Sequence, residues 1–360
     1  MSPQPLLRSA GRTFVPHARP CLGPDEEAAA LRVLRSRLLA PGAEAARLEG
    51  LVARLAGAPA AVALNSGTMA LTLALRALGV GVGDAVALPS FTCAAVLHAV
   101  RAAGARPLVC DIDAATLALD PGDLKRRANG RLRAVVVVHP FGNPSPVDPL
   151  RVGGAFMIED CAQSPGARLL GAPVGAAGDA AVFSFGPTKL LTCGGPGGVL
   201  ASPSARIVHT ARDLAGHDEK EDDGARVNGL MGDLHAAVAG AQIGRLRELV
   251  ARRRAIAERF DNALVATPSS RPALPAGGQP VFYRYLLAVG DAGGTLDRLQ
   301  ARGVMARRPV FKPLHRLLAG GDPCPRADAA WERWISLPLF PAMSDAEVDQ
   351  VIEEVLRCRS

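Results

Sequence analysis

Aromatic side chains are scarce in this chain of 360 residues: ten Phe, two Tyr and two Trp, or 4%. Its core must therefore be built mainly from Ala, Val and Leu. No CxxC pair occurs among the seven cysteines, Cys21, Cys93, Cys110, Cys161, Cys193, Cys324 and Cys358. Their odd number and irregular spacing fit neither a disulfide framework nor a zinc site. No apolar run reaches transmembrane length, and the opening MSPQPLLRSAGRTFVPHARP has none long enough for a secretory leader. A cytoplasmic protein is expected. Internal repeats, low-complexity tails and basic stretches interleaved with aromatics are also missing, which argues against a nucleic-acid partner.

What is present is an ordinary globular balance, with 49% hydrophobic and 21% charged residues. The length suffices for one large core or two unequal domains. Net charge is +7, and the arginines are scattered rather than blocked. That pattern fits an anionic small molecule better than a polyanion.

Short apolar runs at 61–64, 85–89, 107–111, 134–139, 156–159, 180–185 and 198–201 read as strands. They are Ala/Val-rich without polar alternation, as expected of strands buried on both faces of a parallel sheet. Helical patterns separate several of them, such as 68–78 with Leu71, Leu75 and Leu78 on one face. The alternation implies an α/β layer fold. Residues 246–264, rich in Arg and Glu, read as a long helix leaving the large domain for a smaller one. Pro- and Gly-rich turns at 267–279, a strand at 282–289 and a helix near 294–302 follow. A last helix starts at Ser344, with Asp345 and Glu347 in its first turn. The acidic cluster 218–223 reads as a solvated loop.

Three local features carry chemistry. The run F-S-F-G-P-T-K ends a buried strand at Lys189. A Lys amine deprotonated by such surroundings condenses with an aldehyde to a Schiff base, and Ser184 offers a hydroxyl to a phosphate. An exposed strand-end Lys is the plain alternative. The turn N-S-G-T, residues 65–68, lies between a strand and a helix, where backbone N–H groups and the helix dipole favour an anion. An ordinary cap would look the same. In I-E-D-C-A-Q, 158–163, two carboxylates end a strand where α/β sheets place ligand groups. One must face inward, where a protonated pyridine nitrogen would partner it, unless Asp160 merely caps the next turn.

Taken in chain order, 65–68, 158–163 and 183–189, the three features resemble the nucleotide-sugar aminotransferase family (DegT/StrS type) of fold-type-I pyridoxal-phosphate enzymes. The resemblance extends from F-V-P-H-A-R-P-C-L-G (14–23) through P-S-F-T-C-A-A, V-V-V-H-P-F-G-N-P, G-D-A-A-V-F-S-F-G-P-T-K and A-A-V-A-G-A-Q-I-G-R-L to L-P-L-F-P (337–341). It implies an aspartate-aminotransferase-like α/β fold. A large domain over 1–245 would hold a mostly parallel seven-stranded sheet, and a smaller C-terminal domain would span 246–360. It implies that Lys189 binds pyridoxal 5'-phosphate and shuttles the proton, while Asp160 pairs with the pyridine nitrogen and Gln163 with the ring hydroxyl. Gly67, Thr68 and Ser184 would hold the phosphate, joined by Asn228 from the partner subunit of a homodimer.

Two departures stand out. Cys93 replaces the aromatic residue that commonly stacks on the ring, and Leu230 stands where an Arg is usual. Arg307, Arg308, Lys312 and His315, in R-R-P-V-F-K-P-L-H, resemble the family's substrate-side loop and are expected to bind a diphosphate. A surface loop is the alternative. His139 reads as a hydrogen-bonded structural residue or a neighbour of the cofactor, and Cys161 and Cys193 as small buried hydrophobes. No metal is expected. The implied reaction moves an amino group from L-glutamate to a keto sugar, nucleotide-linked, by ping-pong kinetics. A cyclitol ketone as acceptor, sugar dehydration on the same scaffold, and a non-catalytic cofactor-binding regulator are the rivals. The retained Lys189 favours transamination over dehydration.

Overall fold

A computed structural model describes residues 14–218, 220–265 and 270–359. Glu219 of the acidic cluster, residues 267–269 of the turn region and the first 13 residues lie outside that set.

The main sheet holds β1 (Ala60–Leu64), β2 (Ala85–Pro89), β3 (Arg106–Cys110), β4 (Leu132–Val138) and β5 (Phe156–Asp160). Two-residue ribbons, β6 (Arg168–Leu169) and β7 (Ala172–Pro173), precede its last members, β8 (Ala180–Ser184) and β9 (Gly198–Ser202). Its order is β1-β9-β8-β5-β4-β2-β3, with only β9 running against the rest. All seven expected strands form, each within two residues of its expected ends. Their near-continuous burial, complete in β2 and β9, explains why no polar alternation marks them.

Helices α1 (Pro24–Ser36), α2 (Ala43–Ala56), α3 (Gly67–Ala77), α4 (Ala94–Ala102), α5 (Pro121–Arg127), α6 (Ala205–Ala215) and α7 (Asp233–Gly244) surround the sheet. One core layer packs α3, α4 and α6 on the sheet, and another packs α2 and α7 on its opposite face. The buried Asp233 accepts the N–H groups of Gly42, Glu44 and Ala45, so α7 caps the start of α2.

Helix α8 (Leu246–Leu264) begins at Arg245, which ends α7 and starts α8. The division into 1–245 and 246–360 is a proposal placed at that junction. Beyond lie the short β10 (Gly278–Gln279), then β11 (Tyr285–Ala288), α9 (Ala292–Ala301), α10 (Pro325–Arg333), β12 (Trp334–Leu337) and α11 (Asp345–Arg359). The expected strand at 282–289 is shorter, because residues 281–284 instead grip the turn after β4: the Val281 N–H donates to the Gly142 carbonyl. Its antiparallel partner β12 was not expected, since four residues between a helix and a proline carry too little periodicity to be read. Ser344 and Glu347 exchange side-chain and backbone bonds, a capping box that starts α11 as expected. Val15 bridges Val304 and joins the C-terminal core, so the N-terminal segment packs with the end of the chain.

Candidate active site

The C-terminal ends of β1, β5 and β8 open onto a cleft of about 210 Å³. Its walls include Gly67, Thr68, Cys93, Asp160, Gln163, Ser184 and Lys189, seven residues singled out from the sequence. Strand order explains this. Lys189 is 29 positions from Asp160 in sequence, yet β8 lies directly beside β5, with Asp160 paired to Val182.

The turn from β1 into α3 forms one end. Ser66 caps the helix by accepting the Met69 N–H at 3.1 Å, which leaves the Gly67 and Thr68 N–H groups without acceptors. A Cβ on Gly67 would lie 2.8 Å from Ser184 Cβ and 3.1 Å from its Oγ. A Cβ on Gly198 would lie 2.4 Å from the Ser66 carbonyl carbon. Only glycines let the turn sit this close to β8 and β9, bringing two free N–H groups beside two hydroxyls. That donor set, at the positive end of an 11-residue helix, fits a phosphate.

The two carboxylates at the end of β5 diverge. Glu159 is buried and accepts from Gly175, Ala177 and Gly178 N–H groups, each at 2.8 Å, and from His139 at 2.9 Å. Burial pushes Glu159 up, but the donors, His139 foremost, outweigh it and hold the carboxyl below its usual range. The Ser145 N–H donates to His139 Nδ1, so the ring proton sits on Nε2 and points at Glu159. His139 is thus a structural residue. Cys161 lies close to both, but Glu159 has its four acceptor positions filled and burial drives the thiol pKa well up. In this network the Glu159 oxygens and both His139 ring nitrogens are engaged in hydrogen bonds. Cys193 is buried too, and its thiol pKa is raised by burial.

Asp160 faces the cleft instead. Its Oδ1 accepts the Ala162 N–H at 3.0 Å, and Oδ2 has no partner among the described residues. Burial raises its pKa, and the Lys189 charge, the Ala162 bond and His139 only partly offset that rise. A carboxylate wanting a cationic partner, a phosphate cradle and a Lys amine along one cleft are the three attachments pyridoxal phosphate needs. The residues present fit the group.

Gln163 accepts the Phe141 N–H at 2.8 Å through Oε1, which turns its NH2 group the other way. Lys189 Nζ lies 5.6 Å from the centre of the Tyr283 ring and has no carboxylate in ion-pair range among the described residues. Tyr283 was not read from the sequence. Burial alone would raise its phenol, but the charges of Lys189, Arg284 and Arg253 outweigh that and lower it. No motif marks this tyrosine, and it reaches Lys189 only because residues 281–284 fold back onto Phe141 and Gly142.

Five expected residues lie outside these walls, and of these Arg307 lines a neighbouring cavity. The Arg308 guanidinium stacks 4.0 Å from the Trp331 ring centre, bonds the Trp331 carbonyl and pairs with Glu332. Lys312 is exposed beside Phe311. His315 is buried, with Nδ1 2.7 Å from Ser90 Oγ and Nε2 3.2 Å from Asp328. Asn228 is exposed; its backbone carbonyl accepts from Asn65 Nδ2 at 2.9 Å, bracing the phosphate-side turn. Cys93 does line the cleft, as the N-cap of α4. Leu230 bridges Leu64 and is half-buried.

Several solved structures are similar to this chain in sequence and overall fold. DesV of S. venezuelae is 32% identical, with a TM-score of 0.87 over 92% of this chain and 93% of its own. The aminotransferase TlmJ of Streptoalloteichus hindustanus is 33% identical, with a TM-score of 0.89 over 96% and 98%. The sugar aminotransferase CalS13 of Micromonospora echinospora is 26% identical, with a TM-score of 0.86 over 95% and 99%. The family profile for DegT/DnrJ/EryC1/StrS aminotransferases matches residues 20–356. The chain belongs to that family of pyridoxal-phosphate-dependent aminotransferases.

Proposed function

We propose that this enzyme transfers the amino group of L-glutamate to a keto sugar carried on a nucleotide. The observation that supports it most is the shared cleft of Asp160, Lys189 and the free N-terminus of α3. The similar sugar aminotransferase CalS13 and the net charge of +7 point the acceptor toward an anionic sugar.

In this reading the Gly67 and Thr68 N–H groups and the Thr68 and Ser184 hydroxyls hold the cofactor phosphate. Asp160 Oδ2 partners the pyridine nitrogen, and the Gln163 NH2 group donates to the ring hydroxyl. Lys189 Nζ is the amine to which the cofactor attaches. Pyridoxal phosphate, when bound, withdraws electrons from the substrate carbon that loses its proton. Keeping the ring nitrogen protonated is the task of Asp160. Lys189 Nζ takes the proton from the donor's α-carbon, and in the second half-reaction it returns a proton to the sugar carbon. Cys93 lines the cleft where an aromatic residue would stack, and its thiol supplies less ring contact. We further infer a homodimer in the cytoplasm, with Asn228 of each protomer reaching the partner's phosphate site. Arg308, Lys312 and His315 are retained as a proposed acceptor-side loop only in such an assembly, since none lines the cleft of its own chain.

The absorption spectrum tests this directly. The purified protein should show a visible band that fades on adding L-glutamate and returns with a nucleotide-linked keto sugar. Lys189→Ala should not cycle. A wild-type band indifferent to every amino acid would favour a non-catalytic binder, and a free cyclitol ketone restoring the band would make the acceptor a cyclitol.

A further inference from the structure

A second cavity, of about 170 Å³, adjoins the Lys189 loop. Thr188 and Tyr283 line it, and none of the Ser66–Thr68 turn does. Its other walls carry Arg253, Arg284, Arg307 and His17, without an Asp or Glu. Among the described residues none of the three arginines has a carboxylate partner. Arg253 is buried and gives one nitrogen to the Phe282, Tyr283 and Leu339 carbonyls, while its Nε–H has no acceptor at all. Arg284 sets a nitrogen 3.0 and 2.9 Å from the two ring nitrogens of His17, and Arg307 reaches only Met305 Sδ at 3.3 Å.

Arginines such as Arg226 and Arg245 pair with two carboxylates each, whereas here three without one line a single cavity. Three guanidinium groups around one cavity repel one another, and a buried N–H without an acceptor costs free energy. His17 adapts by staying neutral: burial, then the charges of Arg284 and Arg307, keep its pKa well below the usual value. The arrangement lacks an anion.

We propose that this cavity binds a carboxylate of the amino donor, a dicarboxylic α-amino acid, and of the 2-oxo acid it becomes. The proposal rests on the donor half of the reading above. A nucleoside diphosphate is too large for the space, given the 300 Å³ or more, roughly, of pockets that enclose drug-sized ligands. Arg also suits the bidentate geometry of a carboxylate. The position fits as well. A ligand beside Thr188 and Tyr283 lies next to Lys189, and an α-amino acid is the reactant whose charged groups lie within a few bonds of the reacting carbon.

The test compares Arg284→Gln and Arg307→Gln with the wild-type holoenzyme. Calorimetric titration with glutarate, an unreactive dicarboxylate, reads the site without turnover. A spectral titration with L-glutamate reads the half-reaction. Each variant should weaken both by roughly 10- to 100-fold, as expected for a lost charge-assisted bond. The affinity for pyridoxal phosphate should stay near wild type. Arg206→Gln, an exposed residue on α6, should change neither titration. Arg307 is itself exposed, so its variant remains informative if Arg284→Gln does not fold. Unchanged glutarate and glutamate affinities in Arg307→Gln overturn the proposal, as does loss of diphosphate binding in place of glutarate binding. Arginine-dependent glutarate binding in a protein that reacts with no amino acid would retain the anion site and sink the donor reading instead.

Discussion

Gln163 Oε1 accepts the Phe141 N–H at 2.8 Å, and this single bond decides what the Gln163 amide presents to the cofactor cleft. A backbone N–H can only donate, so the amide oxygen is committed and the NH2 group is left for a ligand oxygen. Phe141 reaches that position at φ 61, within a turn whose Gly142 carbonyl and Phe141 carbonyl are held by Val281 and Arg284.

Gln163→Ala removes both functions at once. The Phe141 N–H loses its partner at a cost of about 1–3 kcal/mol, and the cofactor ring loses one donor. The denaturation midpoint should fall, and the dissociation constant for pyridoxal phosphate should rise about tenfold in a fluorescence titration. Unchanged cofactor affinity would show that Gln163 only braces the turn.

Asp160 makes the cofactor-free protein pH-sensitive. Its pKa is higher folded than unfolded, so the folded state holds the extra proton. Stability from this group is complete below the unfolded value near 3.8 and declines as pH rises through the folded one. The melting temperature of the cofactor-free wild type, relative to Asp160→Asn, should therefore drop across that interval. Bound cofactor should abolish the difference in slope.

Glu159 behaves oppositely, because its donors hold its pKa below the unfolded value of 4.5. Its contribution is present above that value and is lost as pH falls through the lowered one. Glu159→Gln places an amide against four N–H donors and should cost about 3–5 kcal/mol at neutral pH, read by urea unfolding. Affinity for glutarate should not change in protein that remains folded.

Gly198→Ala tests the cradle. The new methyl would meet Ser66 and Gly67 backbone atoms at 2.4 and 2.5 Å, and backbone yields poorly. A loss of about 1–3 kcal/mol in stability is expected. Pyridoxal phosphate should bind more weakly, while pyridoxal, which lacks the phosphate, should be affected less. Equal losses for both would place the damage elsewhere.

Much of this protein was legible from the chain alone. Strand runs such as 85–89 and 180–185, the capping residues Ser344 and Glu347, and the glycine in N-S-G-T each report a local requirement: burial on both faces, an orphan N–H, a close backbone approach. Those requirements act within a few residues, so the sequence by itself determined the α/β alternation and most of the cleft, from Gly67 to Lys189. Local pattern did not say which of two adjacent carboxylates faces the cleft; the family resemblance pointed to Asp160, and the fold places it there. Glu159 turns inward only because the 175–178 loop brings three N–H groups to meet it, and Asp160 is left to the cleft. Distance in sequence likewise hid Tyr283 and the convergence of Arg253, Arg284 and Arg307 on one cavity. They converge because the C-terminal segment folds back on the turn after β4. Arg308 carries the same charge as that trio, yet Trp331 and Glu332 claim it, and Ser90 and Asp328 hold His315. Residue type set what each side chain can bind; the tertiary fold decided which partners were within reach, since hydrogen bonds and ion pairs act only over a few ångströms.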